Sequence, residues 1–124
     1  MPTILLSGCA IMKEEKILLI KKKDRDFWEL PGGMVKTKEN IEQAAVENTK
    51  EQIGVETKVV QQFTILEYQK DGNNVEANIF ECDIDPEADF LPGENIEEVR
   101  WFAVSELKKE NLGEDVNTIL EEIG

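Results

Sequence analysis

Apolar and polar positions change period several times along the chain, and each change marks an element. Residues 3–12 and 16–22 are apolar, β-branched stretches separated by the polar Lys13-Glu14-Glu15, which predicts an antiparallel hairpin. Phe27-Trp28-Glu29-Leu30 predicts a short strand, halted by Pro31-Gly32-Gly33. That triplet is expected to leave the ladder as a loop, because proline lacks the amide donor and glycine brings no side chain to pack. Over residues 40–53, Ile41, Ala44, Ala45 and Ile53 recur at helical spacing among Glu, Gln and Lys, and Gly54 supplies the stop. Residues 55–69 and 75–84 read as strands joined through Asp71-Gly72-Asn73-Asn74, a run that tolerates the positive φ of a tight turn. Residues 85–95, with two prolines and a glycine, form the longest irregular loop; a strand at 98–102 and helices at 105–109 and 114–123 follow. Strands, helix, strands, helix is the order of a mixed sheet between helices, in an α+β fold or αβα layering. With no repeat, low-complexity tract or linker, residues 1–124 read as a single domain.

Charge narrows the partners. The 14 Lys and Arg against 27 Asp and Glu give a net charge of -13. A surface of that sign repels DNA, RNA and anionic lipid, so a phosphate ligand needs an accompanying cation or a local basic patch. The chain has no histidine, which removes Ser-His-Asp and Cys-His catalysis and the commonest zinc ligand. Cys9 and Cys82 lie in separate apolar runs and read as buried thiols in a reducing compartment. No apolar run approaches the roughly 20 residues of a membrane span, and the opening lacks the basic start of a signal peptide. A soluble cytoplasmic protein is the expectation.

The candidate chemistry lies in Gly32 to Val55, where a glycine loop runs into the helix and exposes backbone groups to a ligand. At about 100° per residue, positions 48, 51 and 52 converge on one arc of that helix. The segment resembles the signature of the Nudix (MutT-like) hydrolases, G-x5-E-x7-R-E-U-x-E-E-x-G-U, with U aliphatic. Gly33, Glu39, Glu51 and Gly54-Val55 match without a gap. Trp28-Glu29-Leu30-Pro31-Gly32-Gly33 before the segment, and Val99-Arg100-Trp101-Phe102 with Glu106-Leu107 after it, resemble the family's flanking elements. The resemblance implies a Nudix-like αβα sandwich.

It also implies a divalent cation, Mg2+ or Mn2+, held by the helix acids with the carbonyl of Gly33, and an arginine paired with the acid at Glu39. The chain departs from the signature at those positions: Glu47-Asn48 replaces Arg-Glu, Thr49 the aliphatic residue, and Glu51-Gln52 Glu-Glu. The implied metal set is therefore Gly33, Asn48, Glu51 and Gln52, of which only Glu51 carries charge. Amides keep a carbonyl oxygen for a hard cation but no charge, and neither amide can act as a general base. At about 4 kcal/mol per close charge pair in a medium of effective dielectric near 20, two missing carboxylates weaken such a site by orders of magnitude.

Glu47, on the same stripe as Glu51, and the loop acids Glu94, Glu97 and Glu98 are candidate substitutes, whereas Glu67 and Glu76 read as surface residues on facing strands. Lys36 or Lys38 would separate Glu39 from Glu47. Lys21-Lys22-Lys23-Asp24-Arg25 is the only cationic cluster, and the resemblance points Lys23 or Arg25 at substrate phosphates, beside Gly32, Gly33 and Glu39. Trp28, Phe63, Tyr68 and Phe80 are the aromatics available to stack on a base. The expected function is weak hydrolysis of a nucleoside diphosphate linked to another moiety through Glu51, Glu47 and Glu94; the alternative is an inactive nucleotide-binding or protein-interaction module. The partner is a nucleotide-like small molecule, and the oligomeric state stays open, a homodimer included.

Overall fold

The structure, a computed structural model, describes residues 3–36 and 39–123. The elements in chain order are β1 (Thr3–Lys13), β2 (Lys16–Lys22), β3 (Trp28–Glu29), β4 (Gly32–Met34), α1 (Ile41–Ile53), β5 (Lys58–Lys70), β6 (Asn73–Asp83), β7 (Ile96–Ala103) and α2 (Glu114–Ile123). Where a helix was expected over 105–109, residues Val104–Lys109 form a 3-10 helix.

Period-2 alternation in β1 and β2 divides the interior into two layers. Cys9, Ile11, Leu18 and Ile20 face one side and pack with Ala45 and Ile53 of α1. Ala10, Ile17 and Leu19 face the other and pack with Leu107, Val116 and Ile119. Both faces of β2 are covered, which is why it reads as an unbroken apolar run. Burying each large aliphatic contributes about 1.5 to 3 kcal/mol. The result is an α+β sandwich with a mixed sheet between helices.

The first two strands form a hairpin only at the turn, where Met12 faces Ile17 and Glu14 and Glu15 both take positive φ, at 51° and 66°. Beyond it they diverge. β1 runs parallel to β6, with Leu6 opposite Ala77, and β2 runs antiparallel to β7, with Leu18 opposite Trp101.

Pro31-Gly32-Gly33 corrects the sequence expectation. Gly32–Met34 is a strand, antiparallel to β1 with Gly32 opposite Gly8. Gly32 sits at φ 149°, and a Cβ there would lie 2.4 Å from the Ser7 carbonyl oxygen, so the missing side chain permits the pairing. Helix α1 obeys its signals. Asn40 Oδ1 accepts from the amides of Glu42 (2.9 Å) and Gln43 (3.2 Å), and Gly54 ends the helix at φ 75°.

Candidate functional site

Two cavities meet at the end of β2. The larger, about 640 Å³, lies between the sheet and the start of α2, and Leu6, Phe27, Leu30, Tyr68, Leu112 and Asp115 are among its walls. The smaller, about 590 Å³, is bounded by Lys22, Lys23, Asp24 and Arg25 on one side and by Glu51, Gln52, Gly93 and Glu94 on the other. Lys22 and Arg25 line both.

Local folding places each group. The Lys23 amide donates to the Asn95 carbonyl (2.9 Å), tying the basic strand end to the loop that carries Glu94. That loop is held by the open end of α1: the amides of Leu91 and Gly93 donate to the Ile53 and Gln52 carbonyls at 2.8 and 3.0 Å. Glu94 thereby lines the same cavity as Glu51, both exposed. Glu29 is buried, and its carboxylate takes Arg25 Nη1 at 3.1 and 3.2 Å, with Lys22 Nζ at 3.5 Å. This pair orients the guanidinium at the junction.

The larger cavity is apolar with a few directed polar groups, the usual composition of a small-molecule pocket. Asp115 Oδ2 accepts from the Leu30 amide (3.1 Å) and Oδ1 from the Val116 amide (2.8 Å). Burial pushes its carboxyl up to about 6, opposed by those two amides and assisted by the charge of Glu29. The phenol of Tyr68 is also raised, by burial first and then by Asp115, Glu114 and Glu29. Asn111 and Gly113 bond to Trp28 on both sides, at 2.9 and 2.8 Å, and fix the start of α2 over the pocket.

The helix positions behave differently. Gln52 Oε1 accepts from the Gly32 amide (2.7 Å), and its Nε2 donates to the Gly32 carbonyl (2.9 Å). Asn48 Nδ2 donates to the Met34 carbonyl (3.3 Å). Both amides are turned onto β4.

The profile of the NUDIX domain matches residues 5–123. The chain belongs to the Nudix family. An ADP-ribose pyrophosphatase of Methanocaldococcus jannaschii is 43% identical over 61 residues, 47% of this chain and 36% of that protein, so the match spans about a third of the relative's length. The crystal structure of a MutT NUDIX hydrolase from Burkholderia pseudomallei has the same fold, with a TM-score of 0.89 at 23% identity over 100% of both chains. That of an ADP-ribose pyrophosphatase from Streptococcus suis gives a TM-score of 0.76 at 26% identity, covering 97% of this chain and 91% of that one.

Of the candidate site residues, Glu51, Gln52, Glu94, Lys23 and Arg25 come together on the smaller cavity, and Gly32, Gly33 and Tyr68 line the larger. Glu47 does not join them. It is exposed, lines neither cavity, and its carboxylate takes Gln43 Nε2 (3.1 Å), one turn before Glu51. Glu39 instead closes its own turn, accepting from the Lys36 amide at 3.0 Å; Lys38 lies outside the described residues. Glu97 pairs with Lys21 (3.7 Å) and Glu98 with Arg100, leaving Glu94 as the loop acid at the cleft. Glu67 and Glu76 stand directly opposite each other on β5 and β6.

Trp28 is core, edge-on to Phe102 with ring centroids 4.7 Å apart, and Phe63 and Phe80 pack on the two cores. Phe27 and Asp115 are the pocket groups that sequence reasoning missed. The Leu112-Gly113 turn signal before α2 could have flagged the acid in its first turn.

A divalent cation does not fit this donor set. Gln52 has both amide atoms occupied by Gly32, Asn48 presents its nitrogen to Met34, and among the described residues no three His, Cys, Asp or Glu side chains could hold a metal together.

Proposed function

We propose that this chain is a Nudix domain that binds a nucleoside diphosphate derivative across the two joined cavities and hydrolyses it slowly. The observation that carries this reading is the sharing of Lys22 and Arg25 by both cavities. A nucleoside in the larger one, between Phe27, Tyr68 and Asp115, would place its diphosphate at that junction, the one cationic segment of an acidic chain. ADP-ribose is the natural probe, since the relatives from M. jannaschii and S. suis carry the name ADP-ribose pyrophosphatase.

Slow turnover follows from the residues at the helix. Asn48 and Gln52 cannot accept a proton from water, and general-base assistance ordinarily contributes about 100- to 10,000-fold. Glu51 and Glu94 are the charged groups on the cleft's acidic side, too few to hold Mg2+ or Mn2+ in place. The free, buried thiols of Cys9 and Cys82 suit a reducing cytoplasm. No described helix is long and apolar enough to cross a membrane.

The experiment is calorimetry with ADP-ribose, alongside phosphate release from ADP-ribose, NADH, dinucleoside polyphosphates and nucleoside triphosphates. Binding of ADP-ribose that Arg25→Ala abolishes, with turnover well below the usual scale of about 1 to 1,000 per second, is expected. A parent that binds none of the panel, or that turns one member over at the usual scale, sinks the reading.

A further inference from the structure

We infer that the amides of Asn48 and Gln52 stand in for a bridging cation: they fasten β4, a wall of the larger cavity, directly to α1, so the wall keeps its place without a divalent ion.

The geometry is specific. One side chain, Gln52, satisfies both backbone groups of Gly32, at 2.7 and 2.9 Å, as a neighbouring strand would. Since the Gly32 amide can only donate and its carbonyl only accept, the orientation of the Gln52 amide is fixed by its partners. Asn48 adds a third bond across the seam, to the Met34 carbonyl, and sits against Gly33, where a Cβ would come within 3.3 Å of its Nδ2.

Two of these three bonds use amide hydrogens that a carboxylate lacks. With acids at both positions, carboxylate oxygens would face the Gly32 and Met34 carbonyl oxygens, and the seam would open unless a cation lay between them. With amides, no ion is required. Gly32, Gly33 and Met34 all line the larger cavity, so Gln52 and Asn48 are positioning residues for that wall. Which ligand the wall serves rests on the reading proposed above; the cross-link itself does not.

The test is thermal unfolding of the parent, Gln52→Leu, Gln52→Glu and the double variant Asn48→Glu with Gln52→Glu, each in chelator and in millimolar Mg2+. The parent is expected to melt within about 1 °C of the same temperature in both. Both single variants should melt about 4 to 10 °C lower in chelator, from bonds lost across the seam. The double variant should recover at least half of its loss as Mg2+ saturates, and Gln52→Leu should not respond to the ion. A saturable Mg2+ stabilisation of the parent overturns the inference, as does Gln52→Leu melting like the parent; this last comparison decides even if the acidic variants do not fold.

ADP-ribose calorimetry supplies a second readout. Gln52→Leu should weaken binding by at least about fivefold, equally with and without Mg2+. Unchanged affinity would remove the positioning role. A parent that fails to bind ADP-ribose at all overturns the proposed function and leaves the cross-link to be judged by the melting curves.

Discussion

The seam between α1 and β4 and the pocket beneath α2 are adjacent, yet they use polar side chains in opposite ways. In the seam, Gln52 and Asn48 are neutral; Gln52 spends both amide atoms on the backbone of Gly32, and Asn48 turns its Nδ2 onto the Met34 carbonyl. In the pocket, Asp115 and Arg25 are charged when ionised, held in place by two bonds each, and still have capacity facing the cavity. A carboxylate can accept about four hydrogen bonds, and Asp115 receives two from Leu30 and Val116. The lesson is that saturation by the protein itself, more than residue type, separates groups that hold a structure from groups that meet a ligand.

The contrast breaks most visibly at Asp115. Asp115→Ala strands the buried Leu30 amide and frees the start of α2, so it should cost about 1 to 3 kcal/mol of stability and at least about tenfold in ADP-ribose affinity. Denaturant titration and calorimetry check the two effects, and an unchanged affinity would move the ligand elsewhere.

The same carboxyl has a pH signature. Its folded value is raised to about 6 from 3.8, so between these values the native state holds a proton that the unfolded chain has released. Its ionisation therefore opposes folding above pH 6, and stability relative to Asp115→Asn should rise by about 1 to 3 kcal/mol as pH falls from 7 towards 4. A flat difference across that interval would mean that Leu30 and Val116 fully compensate the burial.

The seam is sharpened by giving it charge. Asn48→Glu with Gln52→Glu should raise Mg2+-dependent hydrolysis of at least one nucleoside diphosphate derivative about tenfold or more over the parent, with each single change giving less. An inert but well-folded double variant would show that the cleft no longer aligns a substrate with these positions.

Smaller effects are expected at one inner and one outer position of α1. Thr49 is buried, and its Oγ1 meets only the thiol of Cys9, a weak hydrogen-bond partner, so Thr49→Val should stabilise by about 1 kcal/mol. Glu47 is exposed, and Glu47→Arg, which lowers the excess negative charge, should add about 0.5 kcal/mol. Denaturant midpoints measure both, and a fall in either would contradict its account.

Helix α1 was legible because its signals are local: apolar residues at helical spacing and Gly54 at the stop. The convergence of Glu51 with Glu94 was legible through the family resemblance, which carries information across the chain. The pairing of β1 with β6 was not, since the choice of Leu6 for Ala77 depends on contacts between distant residues that no periodicity encodes. Gly32 was misread because a missing side chain signals both a break and a close approach, and only the neighbour at Ser7 decides between them. The Gln52 amide illustrates the same limit: its identity announces a lost charge, while its two bonds to Gly32 are a matter of position.

The parallel pairing of β1 with β6 also bears on how the chain reaches this state. Leu6 must find Ala77, about 70 residues later, before the centre of the sheet exists. The β5–β6 ribbon closes locally through Asp71 and Gly72 and has no such search to make. Until β1 arrives, one edge of β6 stands open, with Val75, Ala77 and Ile79 uncovered beside it, so the encounter that completes the central ladder competes with encounters between chains. Protein concentration, rather than final stability, then governs the yield on refolding.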